Sequence, residues 1–388
     1  MLRIYLDYAA TTPMRPEVVA AMEPFFTVSF GNPSSIHGYG QEAKAALDNA
    51  RDTIAGAINA DSSEITFTSG GTEADNLAII GAMRANKKRG NHLITTKIEH
   101  DAILHSARFL EEIGYRVTYL PVDEFGQVSA QQVADAIEDD TVLVSVMHAN
   151  NEIGTIQPIE EISKITRAKG VLFHSDAVQT FGQLPVTVDG LGVDLLTISS
   201  HKIYGPKGLG ALYVRSGTPI EPILFGGGQE RDRRSGTENV AGIVGFGEAA
   251  RILLTVREKE SNRLRMLREL IRFEIERRIP DVKLNGHPTE RLPNNINYSY
   301  PGVEAQALLL NLDLAGIAAS SGSACSAGSV EPSHVLQAIG LAPVYLRSAL
   351  RMSLGRLTRE ADISEMLDVL EKTCARLRQM AAHNLAAV

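Results

Sequence analysis

The sequence predicts an α/β protein: a large domain on a mainly parallel, seven-stranded sheet flanked by helices, joined to a smaller α+β domain. Two observations predict it. Over the first two-thirds of the 388 residues, apolar, often β-branched runs bounded by turn residues alternate with amphipathic helical stretches, the pattern of a sheet buried on both faces. Around Phe246 the texture changes to a long, charge-rich helical pattern followed by shorter pieces.

Seven runs read as strands: Glu64–Thr68, His92–Thr96, Arg116–Leu120, Val142–Met147, Val171–His174, Leu195–Ser199 and Ala211–Val214. Helical stretches between them include Glu73–Lys87, Ala102–Ile113, Ser129–Ile137 and Ile159–Lys169. The charge-rich helix runs from Glu248 to Arg278 and ends before Pro280, whose ring cannot continue the hydrogen-bond ladder. Beyond it, Asn295–Tyr300 reads as a strand, and Glu304–Asp313, Ser333–Ile339 and Arg359–Leu377 read as helices. These elements place residues 15–255 in the large domain and residues 1–14 with 256–388 in the small one.

Bulk properties narrow the function classes. Hydrophobic residues make up 44% and charged residues 22%, enough apolar side chain for a sizeable core and against disorder. A net charge of −8 disfavours nucleic acid and anionic membrane as partners. Two cysteines, Cys325 and Cys374, cannot make a disulfide framework and suit a reducing compartment. Residues 1–7 lack the basic-then-apolar pattern of a targeting segment, and no apolar run approaches the about 20 residues of a membrane span, so a cytoplasmic protein is expected.

Several short segments could carry chemistry. Lys202 follows an apolar strand and precedes a Gly/Pro turn, a setting for an amine that forms a Schiff base; on spacing alone a surface-loop lysine is an equal alternative. Asp176 sits at a strand end, where ligands of open α/β sheets bind. An acid there can keep a pyridine nitrogen protonated and Gln179 can reach a ring oxygen; the alternative is a helix cap. The strand–turn–helix around Gly71 and Thr72 can offer backbone N–H groups to a phosphate, or be an ordinary turn with Thr72 as N-cap and Asp75 as a first-turn acid. His100 can stack on a flat ring or be a hydrogen-bonded core histidine, and Asn151 is a candidate polar contact. Cys325 lies among small residues from Ser320 to Ser329, a segment expected to be mobile enough to swing a thiol into a site. Cys374 sits at helical spacing with Leu367, Leu370 and Leu377 and reads as a core residue. Arg351 on an apolar strand suits a substrate carboxylate, or a structural ion pair.

Together these segments resemble the cysteine desulfurases, the NifS/IscS-like branch of the class V, fold-type I enzymes that use pyridoxal 5'-phosphate. The resemblance runs nearly end to end. It is most specific in Ser200-His201-Lys202-Ile203-Tyr204-Gly205-Pro206-Lys207-Gly208, Arg234-Ser235-Gly236-Thr237-Glu238-Asn239 and Ser321-Gly322-Ser323-Ala324-Cys325. It implies removal of sulfur from L-cysteine, giving L-alanine and a persulfide on Cys325 that passes to an acceptor for iron–sulfur cluster assembly or other sulfur-containing products. By resemblance, Lys202 bonds the cofactor and later moves protons, Asp176 pairs with the ring nitrogen, Gln179 contacts the ring oxygen, and His100 stacks on the ring and joins Lys202 and Cys325 in catalysis. Gly71, Thr72, Ser199 and His201 hold the phosphate, and Ser200 is a further cofactor-binding residue. Thr237 reaches the phosphate in a partner subunit, which implies a homodimer with shared sites and makes the basic run Arg231–Arg234 an interface or site rim. Asn151 and Arg351 orient the substrate carboxylate, and Asn151 also lies against the cofactor. A transient role of Cys325 as an iron–sulfur ligand is a further implication. Ser326-Ala327 stands where the family often has Thr-Ser, a conservative departure.

Three competing readings remain on the sequence. A selenocysteine lyase or related class V enzyme would not need the Cys325 segment in most cases. A non-catalytic sulfur relay would not need Lys202, His100 and Asp176 together with Cys325. A cysteine hydrolase pairing Cys325 with His334 would lack an oxyanion motif.

Overall fold

A computed structural model describes residues 4–321 and 332–386. In chain order the strands are β1 (Ile4–Tyr5), β2 (Ile65–Thr68), β3 (His92–Thr96), β4 (Arg116–Leu120), β5 (Thr141–Ser145), β6 (Leu172–Asp176), β7 (Leu195–Ser199), β8 (Gly210–Val214), β9 (Lys283–Leu284), β10 (Asn295–Ser299), β11 (Ile317–Ala318) and β12 (Ala349–Ser353). Seven of them form one sheet in the order β2-β8-β7-β6-β5-β3-β4. The four junctions from β7 to β4 are parallel, and β8 runs antiparallel to both its neighbours.

The two-residue period of a strand sorts the apolar side chains onto two faces. Ile94, Val144, Phe173 and Leu196 enter one buried cluster. Their chain neighbours Leu93, Leu143 and Leu195 enter another, on the opposite side of the sheet. Helices cover both faces, as an all-buried parallel sheet demands: Ile159–Lys169 adds Ile159 and Ile162 to the first cluster, and Asp101–Glu112 adds Ile103, Ala107 and Leu110 to the second.

The strand expectations hold to within two residues. β6 runs two residues further than expected, so Asp176 closes the strand itself. The helix Gly38–Ala57 was not among the expected stretches. The charge-rich helix begins at Val240, eight residues before the expected Glu248, capped by the Asn239 side chain accepting from the Gly242 N–H at 3.1 Å. Its first turns hold Gly242, Gly245 and Gly247, which weaken a local helix signal. Packing explains them: a Cβ at Gly247 would lie 2.8 Å from the Ala50 Cβ, so glycine lets this helix approach Gly38–Ala57 closely. The same helix supplies Ile243, Phe246 and Leu253 to the first cluster and Leu264, Ile271 and Ile275 to a third, which also holds Ile4, Leu6, Leu350 and Met352. β10 there pairs antiparallel with β12 and β9, and β1 pairs parallel with β11. The final helix, Glu360–Ala386, extends beyond the expected Leu377.

A buried ion pair fixes the edge of the sheet. Arg51 donates to both carboxylate oxygens of Glu230 (2.6 and 2.7 Å), and Glu230 also accepts from the Phe67 N–H at 2.8 Å. Glu230, Arg231 and Asp232 all adopt left-handed φ values (47°, 59° and 62°), a strained turn that this pair holds in place. Glu230→Ala leaves the Arg51 charge buried without its partner and is expected to cost about 3–5 kcal/mol of stability, read as a lower urea midpoint.

Candidate active site

The carboxyl ends of the central parallel strands deliver polar side chains to one cavity of 330 Å³. Such ends carry diverging loops and leave a crevice. β6 ends on Asp176; β7 ends on Ser199 and turns through a short 3-10 segment, Ser200–Lys202. His100 follows β3 and Asn151 follows β5, while Gly71 and Thr72 enter from the turn after β2. Gln179, His201, Lys202 and Arg351 line the same cavity.

Lys202 is held by the N-terminal segment. Its Nζ donates to the backbone carbonyls of Ala9 and Ala10, the latter at 2.8 Å. Gln179 Nε2 donates to the Ala9 carbonyl at 3.1 Å. The Thr12 hydroxyl donates to the His201 carbonyl at 2.8 Å and accepts from the Tyr204 N–H at 2.9 Å, and His201 Nδ1 meets the Thr11 hydroxyl at 3.1 Å. Tyr204 takes φ +66°, so the chain reverses immediately after the lysine. Burial and the neighbouring Lys202 and Lys207 push the His201 imidazole down to about 4, so at neutral pH it is an uncharged hydrogen-bonding ring.

Asp176 is 7% exposed, and its Oδ1 accepts from the Val178 N–H at 2.8 Å. Burial raises its proton affinity; His100, that N–H and Lys202 oppose the rise. The His100 ring stands at the N-cap of Asp101–Glu112, its Nδ1 accepting from the Ala102 N–H at 3.1 Å. This leaves the ring on the cavity wall.

At the other side of the lysine turn lies an anion cradle. Ser199 is 1% exposed and its Oγ has no hydrogen-bond partner among the described residues. A Cβ on Gly71 would lie 2.9 Å from Val178 Cγ2, so no side chain fits that floor. Thr72 is not the N-cap; Gly70, at φ +155°, holds that position, and Glu73 folds back to accept from the Ser69 N–H at 2.9 Å. Arg234 braces Glu73 at 2.8 Å, which ties the basic run to this turn. An orphaned buried hydroxyl, a glycine-floored turn, a strand-end acid and an amine around one cavity fit a phosphorylated pyridoxal.

The far end binds differently. Arg351, 1% exposed, donates to Asp7 Oδ1 at 2.8 Å and to the Asn151 carbonyl at 3.1 Å, so it is both ion-paired and cavity-lining. Ser320 pairs through its backbone with Arg351, and Ser333 donates to Glu152 at 2.6 Å while His334, also lining the cavity, meets the Glu99 carbonyl at 3.0 Å. Cys325, expected as nucleophile and as a transient cluster ligand, lies outside the described residues, between these two anchored ends.

Two expected residues are not brought to the cavity. Ser200 is fully buried beneath Gly205, where a Cβ would come within 2.2 Å of its Oγ; its neighbour Ser199 takes the lining place. Thr237 is exposed and away from this chain's own cavity. Cys374 packs with Leu367 and Leu370, and burial pushes its thiol up to about 12, which makes it inert. Among the described residues, His92, Glu138 and Asp140 converge, but threonine hydroxyls occupy both ring nitrogens of His92, and Arg116 pairs with both acids.

Three buried acids beside the site were not singled out. Asp75 and Glu152 line the cavity, and Glu99 accepts from the Thr96 hydroxyl at 2.7 Å and the Met147 N–H at 3.0 Å. The only sequence signal for them is adjacency to Thr72, His100 and Asn151.

Comparison with known proteins gives the following. The family model Aminotransferase class-V matches residues 4–366. A cysteine desulfurase IscS of Dictyoglomus turgidum is 53% identical over 380 residues, covering 98% of this chain and 96% of its own length. One of Methanosarcina thermophila is 51% identical over 97% of this chain and 93% of its own length. A solved NifS-like protein superposes with a TM-score of 0.91 at 36% identity, covering 97% of this chain and all of that one. SspA, solved in complex with cysteine, superposes with a TM-score of 0.81 at 38% identity, over 90% of this chain and 98% of its own.

Burial raises the Glu99 carboxyl to about 8 from 4.5. The folded state therefore holds a proton that the unfolded chain releases, and stability falls as pH rises from about 4.5 to about 8. Glu99→Gln is expected to flatten that decline in urea titrations across the window; an unchanged slope would mean that Glu99 is ionised throughout.

Proposed function

The chain belongs to the class-V aminotransferase family and is a pyridoxal-phosphate-dependent cysteine desulfurase, and we propose that its cavity divides the reaction among the residues described above. The observation that carries the assignment is the convergence of Lys202, Asp176 and Arg351 on one cavity, with the segment that holds Cys325 preceded by Ser320, bonded to Arg351, and followed by the cavity-lining His334. Pyridoxal phosphate, when bound, supplies an electron sink for charge developing on the substrate carbon.

Lys202 Nζ would hold the cofactor and, when not bonded to it, would carry the proton to and from the substrate Cα; the Ala9 and Ala10 carbonyls hold the amine at that position. Asp176 would pair with the ring nitrogen, Gln179 would contact the ring oxygen and His100 would stack on the ring. Gly71, Thr72, Ser199 and His201 would hold the phosphate. Ser200 supports the turn from below. Arg351, helped by Asn151, binds the substrate carboxylate, which holds the cysteine in one orientation. The Cys325 thiolate attacks the substrate sulfur: the new S–S bond forms as the C–S bond breaks, and the carbon skeleton leaves as L-alanine. Ten residues, 322–331, separate the described ends, and Cys325 is one of them.

The persulfide passes to an acceptor protein, for which an iron–sulfur assembly scaffold is our choice. We further propose a homodimer in which Thr237 serves the partner's phosphate site; its exposure away from this chain's cavity supports the reading. Residues 15–255 would form the cofactor domain, and 1–14 with 256–388 the domain carrying Cys325, a division supported by the separate apolar clusters. No helix of the described residues is long and apolar enough to cross a membrane, and a cytoplasmic location agrees with the two cysteines.

Alanine release from L-cysteine should be lost in Cys325→Ala, with the cofactor absorbance retained. It should fall about 10²–10⁴-fold in Lys202→Ala, which removes the proton carrier. Full activity of Cys325→Ala would refute the persulfide role. Arg351→Lys, which loses the forked contact, should raise KM for cysteine about 10–100-fold. Sedimentation should give a dimer, and Thr237→Ala should weaken cofactor retention; a monomer with full affinity would overturn the shared site.

A further inference from the structure

Behind Asp176 stands a second acid for which the reaction has so far had no use. Asp75 projects from Gly71–Asn76 onto the cavity wall and is 1% exposed. Its Oδ1 has no hydrogen bond among the described residues, the nearest ring atom being His174 Nε2 at 3.7 Å. His174 and Asp176 are two residues apart on β6 and so share a face of the sheet, and Thr197 is the register partner of Asp176 on β7. The Thr197 hydroxyl reaches toward both Asp75 and His174, the latter at 3.1 Å. Glu99, also fully buried, raises the proton affinity of Asp75 and has its own raised by Asp176.

This grouping is short of positive charge on one side only. Asp176 has the Val178 N–H at 2.8 Å and feels Lys202 and His100. Asp75 has the Thr197 hydroxyl, and its other neighbours are the acids Asp176 and Glu99. His174 cannot serve as its counter-ion, because burial pushes that imidazole down to about 3 and its two nitrogens meet the Ser145 and Thr197 hydroxyls. Two carboxylates buried together do not both ionise; the proton stays on the one with fewer donors.

We propose that Asp75 is a positioning residue for Asp176: it stands behind it as a neutral carboxylic acid, so that a single negative charge faces the ring nitrogen of the cofactor. The proposal rests on reading Asp176 as the partner of that nitrogen. An uncharged Asp75 leaves Asp176 free to ionise when it meets the ring, and keeps the floor of the site from acquiring a second charge that would repel it.

The apoenzyme tests this directly. Its infrared spectrum at neutral pH should contain a C=O component of a protonated carboxylic acid, identified by its retention in Glu99→Gln, where the Glu99 band is removed, and by its loss when Asp75→Asn is added to Glu99→Gln. Because the amide resembles the neutral acid, Asp75→Asn should bind pyridoxal phosphate, in an equilibrium titration of the apoenzyme, within about twofold of wild type, against the about tenfold that one pKa unit of lost charge pairing represents. Absence of that component in Glu99→Gln, or a loss of affinity of about tenfold or more in Asp75→Asn, would show that Asp75 is ionised and overturn the proposal. Should the amide not fold, Asp75→Ser provides the same band comparison. Asp176→Asn separates the two layers: if it leaves cofactor affinity and absorbance unchanged, the Asp176 reading itself fails and Asp75 has no such role, whatever its protonation.

Discussion

The site depends on how a half-buried lysine amine is held. An ammonium group withdrawn from water needs donors' partners close by, and here the carbonyls of Ala9 and Ala10 supply them. Those carbonyls belong to a segment whose earlier residues, Ile4 and Leu6, pack into the cluster around β10 and β12, and whose Asp7 pairs with Arg351. A few residues at the start of the described chain therefore connect the end of β7, Arg351 and the second core. Thr11 and Thr12 add hydroxyl contacts on both sides of the lysine turn. Disturbing any of them changes where the amine points before it changes the sheet.

Charge is graded along the cavity. The cradle side offers backbone donors, an orphaned serine hydroxyl and an uncharged imidazole at His201, with Lys202 and Lys207 near enough to act on that ring, a combination that receives an anion. The ring side is rich in buried acids, and the substrate side carries Arg351 already neutralised by Asp7. Substrate carboxylate would thus exchange with a resident carboxylate, so its binding is not the desolvation of a bare guanidinium.

Much of this was legible in the sequence. The seven strands stand out because parallel sheets bury both faces and leave apolar runs, and the ends of those runs point to Asp176, Ser199 and Lys202. The start of the helix at Val240 was not legible, since its glycines are explained only by neighbours from elsewhere in the chain: Leu209 at Gly242, Met22 at Gly245 and Ala50 at Gly247. Arg351 could be read as a carboxylate ligand or an ion pair; its partner Asp7 lies 344 residues away, beyond any local pattern. Asp75 could be read only as a first-turn acid, because nothing local tells which face of a short helix meets the sheet. Ser200 and Ser199 are indistinguishable by type; only the two-residue period at the end of β7 decides which hydroxyl faces the cavity.

The helix Val240–Arg278 spans 39 residues and contributes to two apolar clusters. At 1.5 Å per residue it is a rod of about 58 Å, and neither cluster can lose its packing without exposing part of it. Melting of the two halves is thereby coupled into one cooperative transition, with little room for a state in which one half is formed and the other open.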